Sequence, residues 1–265
     1  MYQRHWGMKE WPFRRGLDTS AFYQSGSHEE ALARPLYLVE HRHRLNLHTG
    51  RSGTGKSLLL SVLARQFSLA GLLAGQLSLL GITAAEFPAL AAEALGIHEA
   101  FELSPAGVWR EIQDTLRQRR YVRQQVVLLL DDADEADPAI HAQIAALLHL
   151  DPGVESPLTV IVSAAHDVAR LGTRLLELIE LRVELEPWDR EELAAYLHGC
   201  LERAGASQEV FREEALTRLH ALTGGVPRRV NQLAELALLA GAGVGQNEVD
   251  ERTIEMAHEE LSVRV

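Results

Sequence analysis

A glycine-rich octet at residues 50–57 carries the clearest chemical signal in the chain. It reads Gly-Arg-Ser-Gly-Thr-Gly-Lys-Ser and fits the phosphate-loop pattern G-x-x-x-x-G-K-S/T. Glycines admit backbone conformations that turn successive N–H groups towards phosphate oxygens, at the positive end of the helix that follows. Lys56 would reach the β- and γ-phosphates, and the Ser57 hydroxyl would bind Mg²⁺. The octet therefore predicts a site for a nucleoside triphosphate with Mg²⁺.

A pair of carboxylates further along the chain is the second candidate. Residues 126–132 read V-V-L-L-L-D-D, a hydrophobic strand that ends in two aspartates. Asp131 would hold Mg²⁺ through water beside Ser57, because a hard cation prefers oxygen ligands. Asp132 would be the base that polarises the attacking water. The alternative is a strand that ends in a solvated acidic turn, since more acidic residues follow; the upstream phosphate loop favours the metal site.

The elements that must position these residues alternate between strand-like and helix-like runs. Residues 44–48 alternate as a half-buried strand does, and residues 57–65 predict a buried helix after the glycine loop. The runs at 126–130 and 158–162 are apolar throughout, which is typical of central strands covered on both faces. Together these runs predict an α/β domain with a largely parallel sheet. Three side chains are candidate helix caps, two of them followed by proline: Ser104, Asp137 and Asp167.

After Pro187 the strand signals stop, and the remaining residues read as helices. A capping-box-like start at Asp189 leads into a helix that should end at Gly205. Three further helices are predicted, over about 209–223, Pro227–Leu239 and Asp250–Leu261.

The resulting domain prediction has three parts. Residues 1–44 form an N-terminal segment and helix, residues 45–186 form the phosphate-loop α/β domain, and residues 187–265 form a helical lid. A triphosphate site placed between two lobes can be closed and opened.

Composition limits the function classes. Apolar residues make up 46% and charged residues 24% of the 265, which is ordinary for a soluble globular protein. There is no run of 18 apolar residues and no secretory apolar region at the N-terminus, so we expect a cytoplasmic protein without direct membrane insertion. The single cysteine, Cys200, excludes an intramolecular disulfide. The twelve histidines show no tight metal-ligand spacing, and surface or packing roles are expected for them.

The charge balance argues against a nucleic-acid surface. Twenty-six basic and 37 acidic residues give a net charge of −11. One arginine cluster lies at residues 110–123, with arginines at 110, 117, 119, 120 and 123. A solvated helix end, with arginines near the negative end of the helix dipole, is the favoured interpretation; a basic strip for DNA is the alternative.

Motifs at both ends of the chain carry a family resemblance. Tyr2, Trp6, Gly7 and Met8 open the chain, residues 22–32 read F-Y-Q-S-G-S-H-E-E-A-L, and residues 225–231 read G-V-P-R-R-V-N. With the phosphate loop and the acidic strand end, these motifs make the chain similar to P-loop ATPases of the AAA+ class. It resembles most the subgroup typified by general secretion pathway protein A, over nearly its full length.

The resemblance implies a fold and a set of roles. The fold would be a three-layer AAA+ sandwich with a parallel sheet, followed by a small C-terminal helical lid. ATP and Mg²⁺ would be the ligands, with Arg228 as the sensor 2 arginine and Ser163 at the sensor 1 position. The metal would be held by Ser57 and Asp131, and the nucleotide by Gly50, Arg51, Ser52, Gly53, Thr54, Gly55, Lys56, Ser57 and Leu58.

Two departures from the family pattern concern hydrolysis. The second acid is usually glutamate, and Asp132 is one methylene shorter, which predicts slow turnover. Where relatives often carry a Gln-Arg-Ile triplet that resembles a trans-acting arginine finger, this chain has Glu-Leu-Ile at residues 177–179. Arg174 is the favoured substitute, and Arg182 is the alternative, within a strand-like run.

Three functions follow from these features. The first is an ATPase that drives assembly or remodelling of a protein complex linked to secretion or pilus machinery, acting as a nucleotide-dependent homo-oligomer, either a ring or a dimer. The second is a DNA-linked ATPase that resembles transposition regulators. The third is an ATP-binding switch with little turnover, suggested by Asp132 and the missing triplet.

Overall fold

The protein is described by a computed structural model that covers residues 2–13, 16, 18–19, 22–151, 153, 156–165, 167–206 and 209–263. These residues form two compact units. One consists of Gly26–Ser52 and Lys56–Leu185, and the other of Met1–Ser25, Gly53–Gly55 and Glu186–Val265. The tip of the glycine loop is therefore counted with the second unit.

The first unit is built on a five-stranded parallel sheet. Its strands are β1 Leu45–Gly50, β2 Leu73–Ser78, β3 Val126–Asp131, β4 Leu158–Ala164 and β5 Leu181–Leu185. The spatial order is β2-β3-β4-β1-β5, and every neighbouring pair is parallel. The predicted α/β fold with a parallel sheet is confirmed. Because β4 lies between β1 and β3, its carboxyl end lies between the phosphate loop and the paired aspartates.

Helices cover both faces of this sheet. The helices of the whole chain are α1 Tyr2–His5, α2 Gly26–Glu40, α3 Lys56–Leu69, α4 Phe87–Ala94, α5 Pro105–Tyr121, α6 Pro138–His149, α7 Thr173–Leu176, α8 Arg190–Ala204, α9 Glu213–Thr223, α10 Pro227–Gly243 and α11 Glu251–Val263. Buried residues of α4, α5 and α6 pack with one set of alternating strand residues in a single apolar core. On the sheet, α3 contacts β1, β2 and β3, and α2 contacts α3 and β5.

The strand before the glycine loop is more deeply buried than its sequence indicates. Residues 44–48 predict a half-buried strand, but every residue of β1 is buried. The reason is its place in the sheet: β1 lies between β4 and β5, and both of its faces are covered, so its polar Asn46 and His48 are as buried as its leucines. The prediction of a half-buried strand is therefore wrong.

Two of the three predicted caps in the first unit are confirmed. The Ser104 hydroxyl accepts a hydrogen bond from the Gly107 N–H (3.2 Å), and the Asp137 carboxylate accepts one from the Ala139 N–H (2.7 Å). The third prediction is wrong, because Asp167 makes no capping bond to the residues that the structure describes and precedes only a short 3₁₀ turn at Val168–Leu171.

The second unit consists of helices around a separate apolar core. Helix α8 begins with a full capping box, in which the Glu192 N–H donates to Asp189 (2.8 Å) and the Asp189 N–H donates to Glu192 (3.1 Å). It ends at Gly205, as predicted. The opening motif packs into the same core, where the Trp6 indole N–H donates to the Leu238 carbonyl (2.9 Å).

Two helix boundaries differ from the sequence prediction. Helix α9 begins at Glu213 rather than near residue 209, because Phe211 instead forms a bridge with Val249. Helix α10 continues beyond Leu239 to Gly243, where the small Gly241 lies against Trp6. Over the described part of the chain, no helix combines the length and apolar character needed to span a membrane.

Candidate active site

The glycine loop joins the end of β1 to the start of α3, which is the order a phosphate loop requires. Within the loop, Gly53 has φ +90°, and a Cβ placed there would lie 3.0 Å from both Val226 Cγ1 and Arg228 Cβ. The Arg228 N–H donates to the Gly53 carbonyl (3.2 Å). Backbone angle and crowding therefore both require glycine at position 53.

Lys56 is the first residue of α3 and points back along the loop. Its ammonium group donates to the carbonyls of Gly50 (2.8 Å) and Arg51 (3.3 Å). The chain has only two lysines, Lys9 and Lys56, among 26 basic residues. A lysine carries a compact charge on a flexible stem, which suits a point contact with phosphate.

The ends of β3 and β4 form one hydrogen-bonded cluster. The Ser163 hydroxyl donates to Asp131 Oδ1. The Asp132 N–H donates to Ser163 Oγ (3.2 Å) and to Asp131 Oδ1 (3.1 Å). Asp131 is only 5% exposed, and Ser163 is fully buried. The structure therefore brings together three residues that the sequence selected from two separate strands.

Asp132 has a different environment from its neighbour. Its backbone is left-handed, with φ 56° and ψ 42°, a conformation in which aspartate and asparagine are enriched. Burial raises the pKa of its carboxyl above the usual value, and the charges of Asp131 and Asp134 raise it further. A hydrogen bond from Ser78 (3.4 Å) and the charge of Lys56 oppose the increase.

Ser78 is a residue that sequence reasoning missed. It ends β2 and is registered against Asp131 on the neighbouring strand β3. Two features hid it. The contact between Ser78 and Asp132 joins residues that are far apart in the chain. In addition, the Gly-Gln pair within β2 interrupts the apolar pattern by which the strand could have been predicted.

The three candidate arginines occupy different surroundings. Arg174 is exposed on the short helix α7. Arg182 lies on the edge strand β5 and donates to Thr49 Oγ1 on the neighbouring strand (3.3 Å), which is the contact of a sheet residue. Arg228 is exposed in the first turn of α10.

The signature around Arg228 has a packing explanation of its own. Gly225 has φ +70°, and a Cβ there would lie 1.9 Å from the Trp188 carbonyl oxygen. The Trp188 N–H donates to the Gly225 carbonyl (2.9 Å), and Asn231 accepts a hydrogen bond from the Tyr196 hydroxyl (2.7 Å). The motif therefore fixes the start of α10 within its unit.

The basic cluster on α5 contains internal ion pairs. Arg117 pairs with Asp114 (3.1 Å) and Arg120 with Asp151 (2.6 Å), while Arg119 donates to Gln124. Arg119 and Arg120 lie in the last turn of the helix. These contacts fit the interpretation as a solvated helix end.

Residues of the glycine loop, of the first turn of α3 and of the end of β3 fit a magnesium nucleotide. The hydroxyl of Ser57 and the carboxylate of Asp131 are the oxygen ligands that Mg²⁺ prefers, and the glycine loop precedes a helix N-terminus that favours anions. Gly53 and Gly55 have φ +90° and +102°, as a loop of inward-facing N–H groups requires.

Comparison with known proteins supports the predicted resemblance. Residues 40–171, just under half of the chain, match the sequence profile described as the AAA domain, and the chain resembles P-loop ATPases of that class.

The chain also resembles one curated protein over almost its whole length. General secretion pathway protein A of Aeromonas hydrophila is 28% identical over 274 aligned residues, which cover 99% of this chain and 49% of that protein. The chain therefore spans about half the length of this relative.

Solved structures share the fold. Cdc6p of Pyrobaculum aerophilum matches with a TM-score of 0.68 and 18% identity, covering 92% of this chain and 71% of that one. The Aeropyrum pernix ORC1 protein, solved in complex with DNA, matches with a TM-score of 0.63 and 20% identity over 88% of this chain and 65% of that one. The Thermotoga maritima Holliday junction branch migration motor RuvB matches with a TM-score of 0.57 and 15% identity, covering 90% of this chain and 70% of that one. The predicted AAA+ fold and the predicted resemblance are confirmed.

Proposed function

We propose that this chain binds ATP with Mg²⁺ and hydrolyses it slowly, in a reaction that depends on assembly with further copies of itself. The observation that carries the proposal is the cluster of Asp131, Ser163 and Asp132 at adjacent strand ends of a sheet whose interior strand β1 leads into the phosphate loop.

The roles of the binding residues follow from their chemistry. The loop N–H groups and Lys56 would bind the phosphates, and Ser57 and Asp131 would hold Mg²⁺. Bound Mg²⁺ would neutralise charge on the phosphate oxygens. Asp132, as a carboxylate with a raised pKa, would accept a proton from the attacking water, and Ser163 would orient that water.

The arginines would act on the developing negative charge. We assign Arg228 to the γ-phosphate, so that triphosphate and diphosphate are bound differently and hydrolysis shifts a conformational equilibrium. We assign Arg174 to the site of a neighbouring subunit, because it is exposed, whereas Arg182 contacts Thr49 in its own chain.

The cellular role is proposed from the relative alone. Similarity to a general secretion pathway protein supports a part in assembling or remodelling a protein complex of secretion or pilus machinery. We place this role in the cytoplasm from the sequence composition. A nucleotide switch with little turnover is the second candidate, favoured by the short Asp132 side chain. The ion pairs of Arg117 and Arg120 do not favour a DNA-linked role.

Nucleotide binding tests the proposal first. Equilibrium titration with ATP should give Mg²⁺-dependent binding that Lys56→Ala weakens by at least about tenfold, the value of one charged hydrogen bond. Lys9→Ala is the matched control, because Lys9 is exposed and is the only other lysine. Equal affinities for the parent and Lys56→Ala would contradict the site.

A further inference from the structure

Two polar side chains of β1 are buried without hydrogen-bond partners. Within the described residues, both amide atoms of Asn46 and both ring nitrogens of His48 lack partners. Both residues have 0% exposure. Burying an unpaired polar group is destabilising, and an apolar side chain of similar size would avoid that cost. Fold stability therefore does not account for the polar residues at these positions.

His48 lies in line with the hydrolytic cluster. In the register of β1 and β4, His48 is paired with Ser163. Asp131 continues the line on β3. In the register of β3 and β4, Leu130 is paired with Val162, so the next residues, Asp131 and Ser163, lie opposite each other. Neighbouring strands are about 4.8 Å apart, and registered residues point to the same face of a sheet. His48, Ser163 and Asp131 therefore form a row across three adjacent strands.

The hydrogen-bonding capacity of Ser163 leaves a place for one more donor. Its hydroxyl gives its proton to Asp131 and accepts from the Asp132 N–H. A serine hydroxyl has one proton and two acceptor positions, so one acceptor position remains. An N–H group at that position would keep the single serine proton directed at Asp131.

His48 has the protonation state that this role requires. Burial lowers the pKa of its imidazole to about 4, so the ring is neutral at neutral pH. A neutral imidazole carries one N–H donor and one acceptor nitrogen. Neither ring nitrogen makes a hydrogen bond within the described residues, so the N–H would reach the Ser163 hydroxyl through one water molecule.

We propose that His48 is a positioning residue for ATP hydrolysis, which orients the Ser163 hydroxyl and, through it, the Asp131 carboxylate and the Asp132 backbone. The inference rests on the proposed function, because it assigns Ser163 and the two aspartates to hydrolysis. It adds a residue from the strand before the phosphate loop to the residues at the ends of β3 and β4.

Three variants test this inference. His48→Leu removes both ring nitrogens and should lower kcat by about tenfold, the loss typical when the partner of a functional group is removed. KM for ATP and the stability to urea should not worsen. His48→Gln, which restores an N–H donor, should recover most of kcat. Asn46→Leu is the matched control, because Asn46 is equally buried and unpartnered but is registered against Ile161, and it should leave kcat unchanged.

A double-mutant cycle shows whether His48 acts through Ser163. In a Ser163→Ala background, His48→Leu should cause no further loss of kcat. Provided that the parent hydrolyses ATP, any of three results would overturn the inference. These are equal kcat for the parent and His48→Leu, equal losses of kcat in Asn46→Leu and His48→Leu, and additive losses of kcat in the double-mutant cycle. A parent no faster than Lys56→Ala would overturn the proposed function itself. If His48→Leu does not fold, His48→Met enters the same cycle.

Discussion

Asp131 and Asp132 are adjacent in sequence but have different surroundings. Asp131 is buried and accepts hydrogen bonds from the Ser163 hydroxyl and the Asp132 N–H. Asp132 is in a left-handed conformation, and burial and the neighbouring carboxylates raise its pKa. Different environments allow two carboxylates to perform different roles in one site. The geometry supports Asp131 as the metal ligand and Asp132 as the base.

The raised pKa of Asp132 predicts a pH dependence. The base acts when it is ionised, and its ionised fraction falls as the pH is lowered through a pKa that lies above that of an ordinary aspartate. We expect kcat for ATP hydrolysis to fall on the acid side at a higher pH than an ordinary aspartate would give. Asp132→Asn should lower kcat by about 10²–10⁴-fold. A pH–rate profile whose acid limb is retained in Asp132→Asn would exclude this assignment.

Replacing Asp132 with glutamate should change the rate of ATP hydrolysis and the stability of the fold in opposite directions. Asp132→Glu should raise kcat, because the carboxylate reaches one methylene further. It should also lower the free energy of unfolding by about 1 kcal/mol, since φ +56° suits aspartate better than glutamate. Phosphate release and urea unfolding measure the two effects. A variant no faster than the parent at any protein concentration would show that side-chain length does not limit turnover.

The sequence identified the types of most of these residues but not all of their contacts. The glycine octet and the acidic strand end are local patterns, so the sequence alone was enough to select Lys56, Asp131 and Asp132 as candidates. Ser78 and His48 lie beside the cluster only because strands that are distant in the chain are paired in the sheet. Strand order depends on tertiary packing, which local spacing does not encode.

At the scale of elements, predictions succeeded where one short-range interaction decides the structure. Side-chain caps at Ser104, Asp137 and Asp189 mark helix starts because the capping bond spans two or three residues. The predictions of a cap at Asp167 and of a helix start near residue 209 were wrong. At the latter, a long-range bridge from Phe211 to Val249 competes with helix formation.

The start of α10 provides a test of element packing. Gly225→Ala would place a Cβ 1.9 Å from the Trp188 carbonyl oxygen at φ +70°. We expect the free energy of unfolding to fall by about 2–4 kcal/mol, from strain and overpacking together. Gly245→Ala is the control, because Gly245 has φ +75° and no atom of the described residues lies within 4 Å of the added Cβ; strain alone should cost about 1 kcal/mol. If urea unfolding gave the same loss of unfolding free energy for Gly225→Ala and Gly245→Ala, the contact with Trp188 would be unimportant.

At the scale of the whole molecule, the chain resembles a relative of about twice its length. The AAA domain matches residues 40–171, and the similarity to general secretion pathway protein A extends over nearly the entire chain. The motifs near both ends are consistent with this similarity, since the opening Trp6 and the Gly225 region each have defined packing roles.

Mixing two inactive variants tests assembly. Arg174→Ala should lower kcat by about a hundredfold if its guanidinium stabilises charge in a neighbouring site. An equal mixture with Asp132→Asn should regain activity, because about a quarter of the interfaces would combine an intact site with an intact arginine. The same mixture made with Arg182→Ala is the comparison. No recovery in the Arg174 mixture would contradict a role in trans.

Slow hydrolysis that depends on assembly is measured as steady-state phosphate release from ATP, with Mg²⁺ present, across a range of protein concentrations. We expect slow release whose rate per subunit rises with concentration, is lost in both Lys56→Ala and Asp132→Asn, and is unchanged in Lys9→Ala. Release at a constant rate per subunit would contradict dependence on assembly. Release that persists in Lys56→Ala and Asp132→Asn would contradict the assignment of the active site.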